Sequence, residues 1–140
     1  MNSDKTVILD TRTLIGAILK PHTLPAEVYY HASKHHRLIA SKETIQEMME
    51  VVGRDKFDRF RDRDERIKAL SFYLSLVEIG NANVVVNDCR DPKDNKFLSL
   101  AISLSADMII SSDDDLLVLH PYKQTRILTV RQYAEEHGLR

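Results

Sequence analysis

Cysteine occurs once, at Cys89, and tryptophan not at all. A lone cysteine excludes an internal disulfide, argues against a cysteine-based zinc site, and suits a reducing cytoplasm. With four glycines and four prolines, the chain has no material for a long flexible linker, and no low-complexity segment or internal repeat is visible. Aromatic residues make up 6%, so the core is expected to be aliphatic. No apolar run approaches the roughly 18 residues that a membrane-spanning helix needs. The opening MNSDKTVILD lacks a long apolar stretch behind basic residues, so no secretory signal is expected. There is little excess charge of either sign: 20 basic and 21 acidic residues give a net charge of −1. That balance argues against coating nucleic acid by bulk charge, and leaves room for a local basic face.

What is present suits one compact domain over residues 1–140, 43% hydrophobic and 29% charged. Short apolar runs read as buried strands: Val7-Ile8-Leu9, Leu38-Ile39-Ala40, the β-branched Val84-Val85-Val86, Met108 to Ser111, and Ile127-Leu128. Between them lie helical patterns. Leu14, Ile15, Ile18 and Leu19 mark a helix over 11–20, which Pro21 ends. Pro25 opens a second helix reaching about Lys34. Ser41 caps a third, carrying Ile45, Met48, Met49 and Val52 and ended by Gly53. Residues 54–78 read as helix with a break near 62–64, an apolar stripe of Ile67, Leu70, Leu74 and Val77, and Gly80 as terminator. Asp91-Pro92 reads as N-cap and first turn of the helix bearing Phe97, Leu98, Ala101, Ile102 and Leu104. A short helix over 114–119 and a final one capped by Thr129 and stopping near Gly138 complete the chain. Strands alternating with helices predict an α/β fold, a parallel sheet flanked by helices, with any ligand beyond the carboxyl ends of the strands.

The acids are testable by that rule. Asp10 ends the first strand and Asp113 follows the fourth, inside the run SSDDDLL (111–117). Asp91 and Asp94 begin the helix after the third strand, and Glu47 lies midway along the helix after the second. Asp10, Asp91 and Asp113 each suit an N-cap, Asp94 a favourable charge in a first turn, and Glu47 a solvated surface position. Gathered at one sheet edge, they would repel one another unless protonated or neutralised, and hard divalent cations take such oxygen ligands. Phosphodiester hydrolysis uses a cluster of this kind. Asp107 suits a turn and Asp114 solvent. The six histidines form no ligand pattern, His35-His36 read as surface, and Met48-Met49 read as core.

VILDTRTLIGAIL (7–19), SKETIQEMMEVVGRDKF (41–57), DPKDNKFLSLAISLSADMIISSDDDLL (91–117) and ILTVRQYAE (127–135) together resemble the PIN-domain nucleases, in particular the VapC-like class of toxin components of toxin–antitoxin systems. The resemblance covers nearly the whole chain, and the third block is the specific one. It implies a single PIN-like domain with four or five parallel strands. It makes Asp10, Glu47, Asp94 and Asp113 the catalytic and metal-holding acids, with Asp115 a further, less uniform acid and Ser111 a supporting hydroxyl. The activity it implies is cleavage of single-stranded or structured RNA by an endoribonuclease using Mg²⁺ or Mn²⁺. It also implies an antitoxin protein as partner, a homodimer, a cytoplasmic location and no membrane. One position departs from the family pattern: Arg12 stands where the family has Asn after Asp-Thr. A guanidinium there competes with metal for the carboxylates, grips a substrate phosphate, or points away.

Residues 54–68, RDKFDRFRDRDERIK, hold seven basic and five acidic side chains, a net +2. A solvated helix with i,i+4 pairs accounts for them more simply than an RNA track. Three rival readings of the chain can be compared. A haloacid-dehalogenase-type phosphatase wants a second Asp two residues after the first, where Arg12 stands. A receiver domain wants paired acids near the first strand and a Lys after the last main strand, and neither is evident. A catalytically degenerate PIN module binding RNA or protein has Arg12 as its support.

Overall fold

The computed structural model describes residues 5–139. In chain order the elements are β1 (Thr6–Leu9), α1 (Thr11–Leu19), α2 (Leu24–His35), β2 (Arg37–Ala40), α3 (Lys42–Val52), a 3₁₀ turn (Asp55–Phe57), α4 (Arg63–Leu76) and β3 (Glu78–Ile79), then a second 3₁₀ turn (Pro92–Asp94), α5 (Asn95–Leu104), β4 (Met108–Ile110), α6 (Asp114–Leu117), β5 (Arg126–Leu128) and α7 (Val130–Glu136). The five strands pair in parallel in the order β3-β2-β1-β4-β5.

Side-chain alternation along the strands builds two cores. Val7, Leu9, Leu38, Met108, Ile110 and Leu128 face α1, α2, α3, α4 and α7. Ile8, Ile39, Ile109 and Ile127 face the other way, against Phe97, Leu98 and Ala101 of α5 and Leu116 of α6. Strands buried on both faces must be apolar at every position, which is why they read as unbroken triplets. Thr129 and Ser41 cap their helices through reciprocal side-chain and backbone hydrogen bonds with Gln132 and Thr44. Asp107 accepts from Thr6 N at 2.8 Å, at the amino end of the strands and away from the acids described below.

From β1 the chain winds outward through β2 to β3, then returns to the opposite side for β4 and β5. The order reverses between β1 and β4, so a crevice opens beyond their carboxyl ends. Asp10 follows β1 directly, and Ser111 and Asp113 follow β4.

Five expectations need correction. Val84-Val85-Val86 is no strand. Val85 is 86% exposed, and the segment is pinned along α5, where Asn83 N donates to Ser103 Oγ at 3.2 Å and Val84 O accepts from Ser99 Oγ. The third strand is instead Glu78–Ile79, two exposed residues added to the edge of β2. Gly80 does not end α4, which stops at Leu76; it follows β3, where a Cβ would run into the Leu104 side chain. On α4 the buried positions are Arg66, Leu70 and Tyr73, while Ile67 is exposed. Of the Met pair Met48 is core and Met49 exposed, and of the His pair His36 is buried.

Arg66 is the largest fully buried side chain. Its guanidinium donates to the carbonyl oxygens of Val52 (2.9 Å), Arg61 (2.6 Å) and Arg54 (3.2 Å) and to Asp58 (3.0 Å). The Val52 carbonyl at the end of α3 and the Arg61 carbonyl before α4 have no helical N–H to accept from, and Arg54 O also accepts from Phe57 N in the turn between them. Other basic residues of the 54–68 segment are likewise engaged. Arg61 donates to Ile18 O at 2.7 Å, Arg54 pairs with Glu50, and Lys68 lies 3.8 Å from Glu65. Within this segment Arg66 and Arg61 brace the fold, while Arg54 and Lys56 face the cleft described below.

Candidate active site

A cleft of about 430 Å³ opens at the switch point between β1 and β4. Asp10, Glu47, Asp94 and Asp113 all line it, together with Asp91, Thr11, Arg12, Arg54, Lys56 and Lys93.

Asp10 is the buried anchor, 3% exposed. Its Oδ1 accepts from Thr13 N at 2.8 Å and so caps α1, while its Oδ2 accepts from the Ser111 hydroxyl. The N-cap and site readings of this residue are therefore both satisfied. Burial raises its pKa, and the bonds from Ser111 and Thr13 oppose that rise. Ser111 Oγ also accepts from Asp113 N at 2.9 Å, and Asp113 Oδ1 accepts from Asp115 N at 2.9 Å. One hydroxyl thereby links the two strand-end acids.

Asp91, Asp94 and Asp113 each present a carboxylate oxygen, and the three oxygens lie within 4.8 Å of one another. Asp94 Oδ2 is buried with no N–H or hydroxyl donor aimed at it. Asp94 faces Asp113 closely enough to share a proton. Burial, then that hydrogen bond and the Asp113 charge, push Asp94 up to about 7. The same bond draws Asp113 below its ordinary value, with help from the Asp115 backbone and the Arg12 charge. A buried acceptor without a donor and three converging hard oxygens are what a divalent cation satisfies. The donor set therefore fits Mg²⁺ or Mn²⁺.

Glu47 also lines the cleft but lies outside that oxygen triad. It accepts from the Thr11 hydroxyl, and its Oε2 lies 3.3 Å from Lys96 Nζ. Arg12 is exposed on the rim. Asp115 turns away and pairs with Arg90, with Arg90 Nε 2.7 Å from Oδ1. Asp114 is exposed.

Sequence reasoning left Thr11 and Lys96 out of the site, and it weighed Asp91 with the strand-end acids without placing it among those that hold the ion. Asp91 does cap the 3₁₀ turn, accepting from Lys93 N at 3.0 Å, which is the role read for it. The available signal was its spacing from Asp94, since residues three apart eclipse in a 3₁₀ turn. Lys96 gave none, because its partner Glu47 comes from another helix.

Comparison with known proteins agrees with this geometry. A PIN domain family model matches residues 6–115. An uncharacterized protein of Methanocaldococcus jannaschii, MJ1680, is 30% identical over 115 residues, covering 81% of this chain and 74% of its own. Among solved structures, a chain of VapBC2 from Rickettsia felis, crystallised bound to a DNA fragment from its promoter, superposes with a TM-score of 0.58 at 14% identity. That likeness, which spans 89% of this chain and 98% of the other, is one of fold. The strand order, the acids at the switch point and the family match over most of the chain converge, and the chain belongs to the PIN domain family.

Proposed function

We propose that the chain is a metal-dependent endoribonuclease, the toxin of a toxin–antitoxin pair acting in the cytoplasm. The observation that carries the reading is the convergence of Asp91, Asp94 and Asp113, with one Asp94 oxygen buried and undonated. Asp94 and Asp113, with Asp91, would hold Mg²⁺ or Mn²⁺, and Asp10 would complete the negative field from beneath. When bound, such an ion polarises the phosphate, lowers the pKa of water and stabilises charge on the leaving oxygen. Glu47, held by Thr11 and Lys96, lines the same cleft and would accept a proton from the attacking water. Ser111 fixes Asp10 and Asp113 in register. Arg12, Arg54, Lys56 and Lys93 line the cleft and supply the positive rim that a polyanionic strand needs. RNA as the substrate rests on the resemblance to VapC-like nucleases. The test is a labelled RNA incubated with the protein in Mn²⁺ or Mg²⁺: internal cleavage abolished by EDTA is expected, and failure to cut any of several unrelated RNAs removes the enzyme claim.

The VapBC2 crystal contains a complex, and by that likeness a small antitoxin protein covering the acidic cleft, and a homodimer, belong to the same reading. Among the described residues no helix is long and apolar enough to cross a membrane.

Arg12 discriminates this reading from a degenerate binding module. As a phosphate ligand on the rim, its replacement in Arg12→Asn should weaken RNA binding several-fold and leave Mn²⁺ affinity nearly unchanged. Filter binding in EDTA and Mn²⁺ titration check this. If the variant instead binds Mn²⁺ more tightly and cuts RNA that wild type leaves intact, the natural chain is the degenerate module.

Metal and stability should be linked. Asp94 holds its proton up to about 7 when folded, against an ordinary value of 3.8. Between those values the folded state binds the extra proton, so metal-free stability should fall as pH rises from about 4 to about 7 and then level off. Asp113, shifted downward, acts below that window. At pH 8 Mn²⁺ should raise Tm by binding the folded state alone. Asp94→Asn should raise the metal-free Tm, flatten its pH dependence and shrink the Mn²⁺ shift. Equal Mn²⁺ shifts in both proteins would exclude Asp94 as a ligand.

A further inference from the structure

The histidines do form a ligand pattern, contrary to the reading from sequence spacing. His31 lies in the penultimate turn of α2, His36 at its C-cap, and His137 at the C-cap of α7. One ring nitrogen from each lies within 4.8 Å of the other two. We infer that His31, His36 and His137 form a second metal site, separate from the acidic cleft, that takes a nitrogen-preferring transition ion, Zn²⁺ above all.

Geometry makes the first argument. Zn–N bonds of about 2.0–2.1 Å hold the nitrogens of a tetrahedral ion about 3.3 Å apart. Side-chain rotations closing the triad by up to about 1.5 Å would complete three legs of that tetrahedron. His31 also lines a cleft of about 440 Å³ with His35, Tyr30, Glu27 and Lys34, which would give an ion an entry path to the triad from that side.

Tyr133 makes the second argument. Its main-chain oxygen lies 2.9 Å from His137 Nδ1, which donates to it, and its hydroxyl lies 2.7 Å from His31 Nδ1. With Nδ1 engaged on both rings, Nε2 is the nitrogen each can offer. Metal-ligating histidines characteristically donate their other ring nitrogen to a carbonyl or similar acceptor in this way. The Tyr133 ring also stacks on His137, with centroids 4.1 Å apart and planes at 21°, which fixes the imidazole's orientation.

Charge makes the third. The His31 and His137 ring centroids are 4.9 Å apart, and those of His36 and His137 5.6 Å. Three imidazolium ions could not share that space. A triad with no carboxylate favours imidazole-seeking Zn²⁺ over the Mg²⁺ or Mn²⁺ that suits the acids. Bound there, the ion would tie α7 to the end of α2 and the start of β2.

The test uses the full chain and metal alone. Co²⁺, titrated as a spectroscopic stand-in for Zn²⁺, should give visible d–d bands of a low-coordinate nitrogen site at one equivalent. Those bands should persist in Asp94→Asn, disappear in His36→Gln and His137→Gln, and be displaced by Zn²⁺. Tyr133→Phe, which keeps the ring and removes the His31 partner, should weaken Zn²⁺ binding about tenfold. Because a histidine variant can lose its fold, wild type is also followed by long-range ¹H–¹⁵N spectra of the imidazoles. Zn²⁺ should shift His31, His36 and His137 and leave His22 and His120 in place. Absence of the bands, their loss in Asp94→Asn, or shifts confined to the other histidines would overturn the site. None of these outcomes depends on RNA cleavage, so the site stands or falls apart from the nuclease reading.

Discussion

Asp94→Asn should cut RNA at least about 100-fold more slowly than wild type, a rise of about 2.7 kcal/mol in the barrier. The size follows from charge. An amide has nearly the shape of the carboxylate and lacks the negative charge that draws a hard cation from its hydration shell. The position is well chosen because Asp94 makes no side-chain cap bond to α5, whereas Asp10 caps α1 and Asp113 caps α6. The variant should therefore keep the wild-type fold, and the loss should appear in single-turnover rates at saturating RNA. Because the metal-free variant should also be the more stable protein, slower cutting cannot be attributed to unfolding. A variant cutting within threefold of wild type would show that Asp94 does not hold the ion.

Arg66→Met should be the most damaging single change to the fold, costing about 3 kcal/mol or more. Methionine fills much of the volume but leaves the carbonyls of Val52 and Arg61 without their donor and Asp58 without its partner, while Arg54 O keeps only the Phe57 N–H. Each orphaned carbonyl costs on the order of 1 kcal/mol or more. For a domain of this length the loss should lower Tm by about 10 °C. Arg66→Lys should recover only part of it, since one ammonium cannot span the fork of acceptors that a planar guanidinium reaches. Thermal melts of the two variants in EDTA check this. Arg54 and Lys56 line the cleft on the segment Arg66 braces, so Arg66→Met should also weaken RNA binding at temperatures where the protein remains folded.

The contrast between Asp94 and Arg66 shows what was legible in the sequence. Strands β1, β2, β4 and β5 were visible because burial on both faces demands apolar triplets. The acids were visible because a parallel sheet places side chains that follow its strands on one edge, and the family blocks carried Asp10, Glu47, Asp94 and Asp113 to the same cleft. β3 was hidden because it is two exposed residues at an edge, with no pattern to separate it from a loop. Val84-Val85-Val86 misled because its β-branched content suits a strand while its backbone is held by serines of α5. Arg66 looked like one cation among seven, since its partners are backbone carbonyls that leave no mark in a sequence. The histidine triad stayed hidden because His137 meets His31 and His36 only when α7 packs on α2.

The nuclease account rests on one physical claim, that the acids beyond β1 and β4 converge because they hold a divalent ion. Anomalous scattering from a crystal soaked in Mn²⁺ measures this directly. The account predicts a peak in the cleft, bound by carboxylate oxygens of Asp94 and Asp113 with Asp91 beside it, and absent from crystals of Asp94→Asn. A cleft empty at saturating Mn²⁺, or a peak held only by acids outside it such as Asp115 or Asp88, would contradict it.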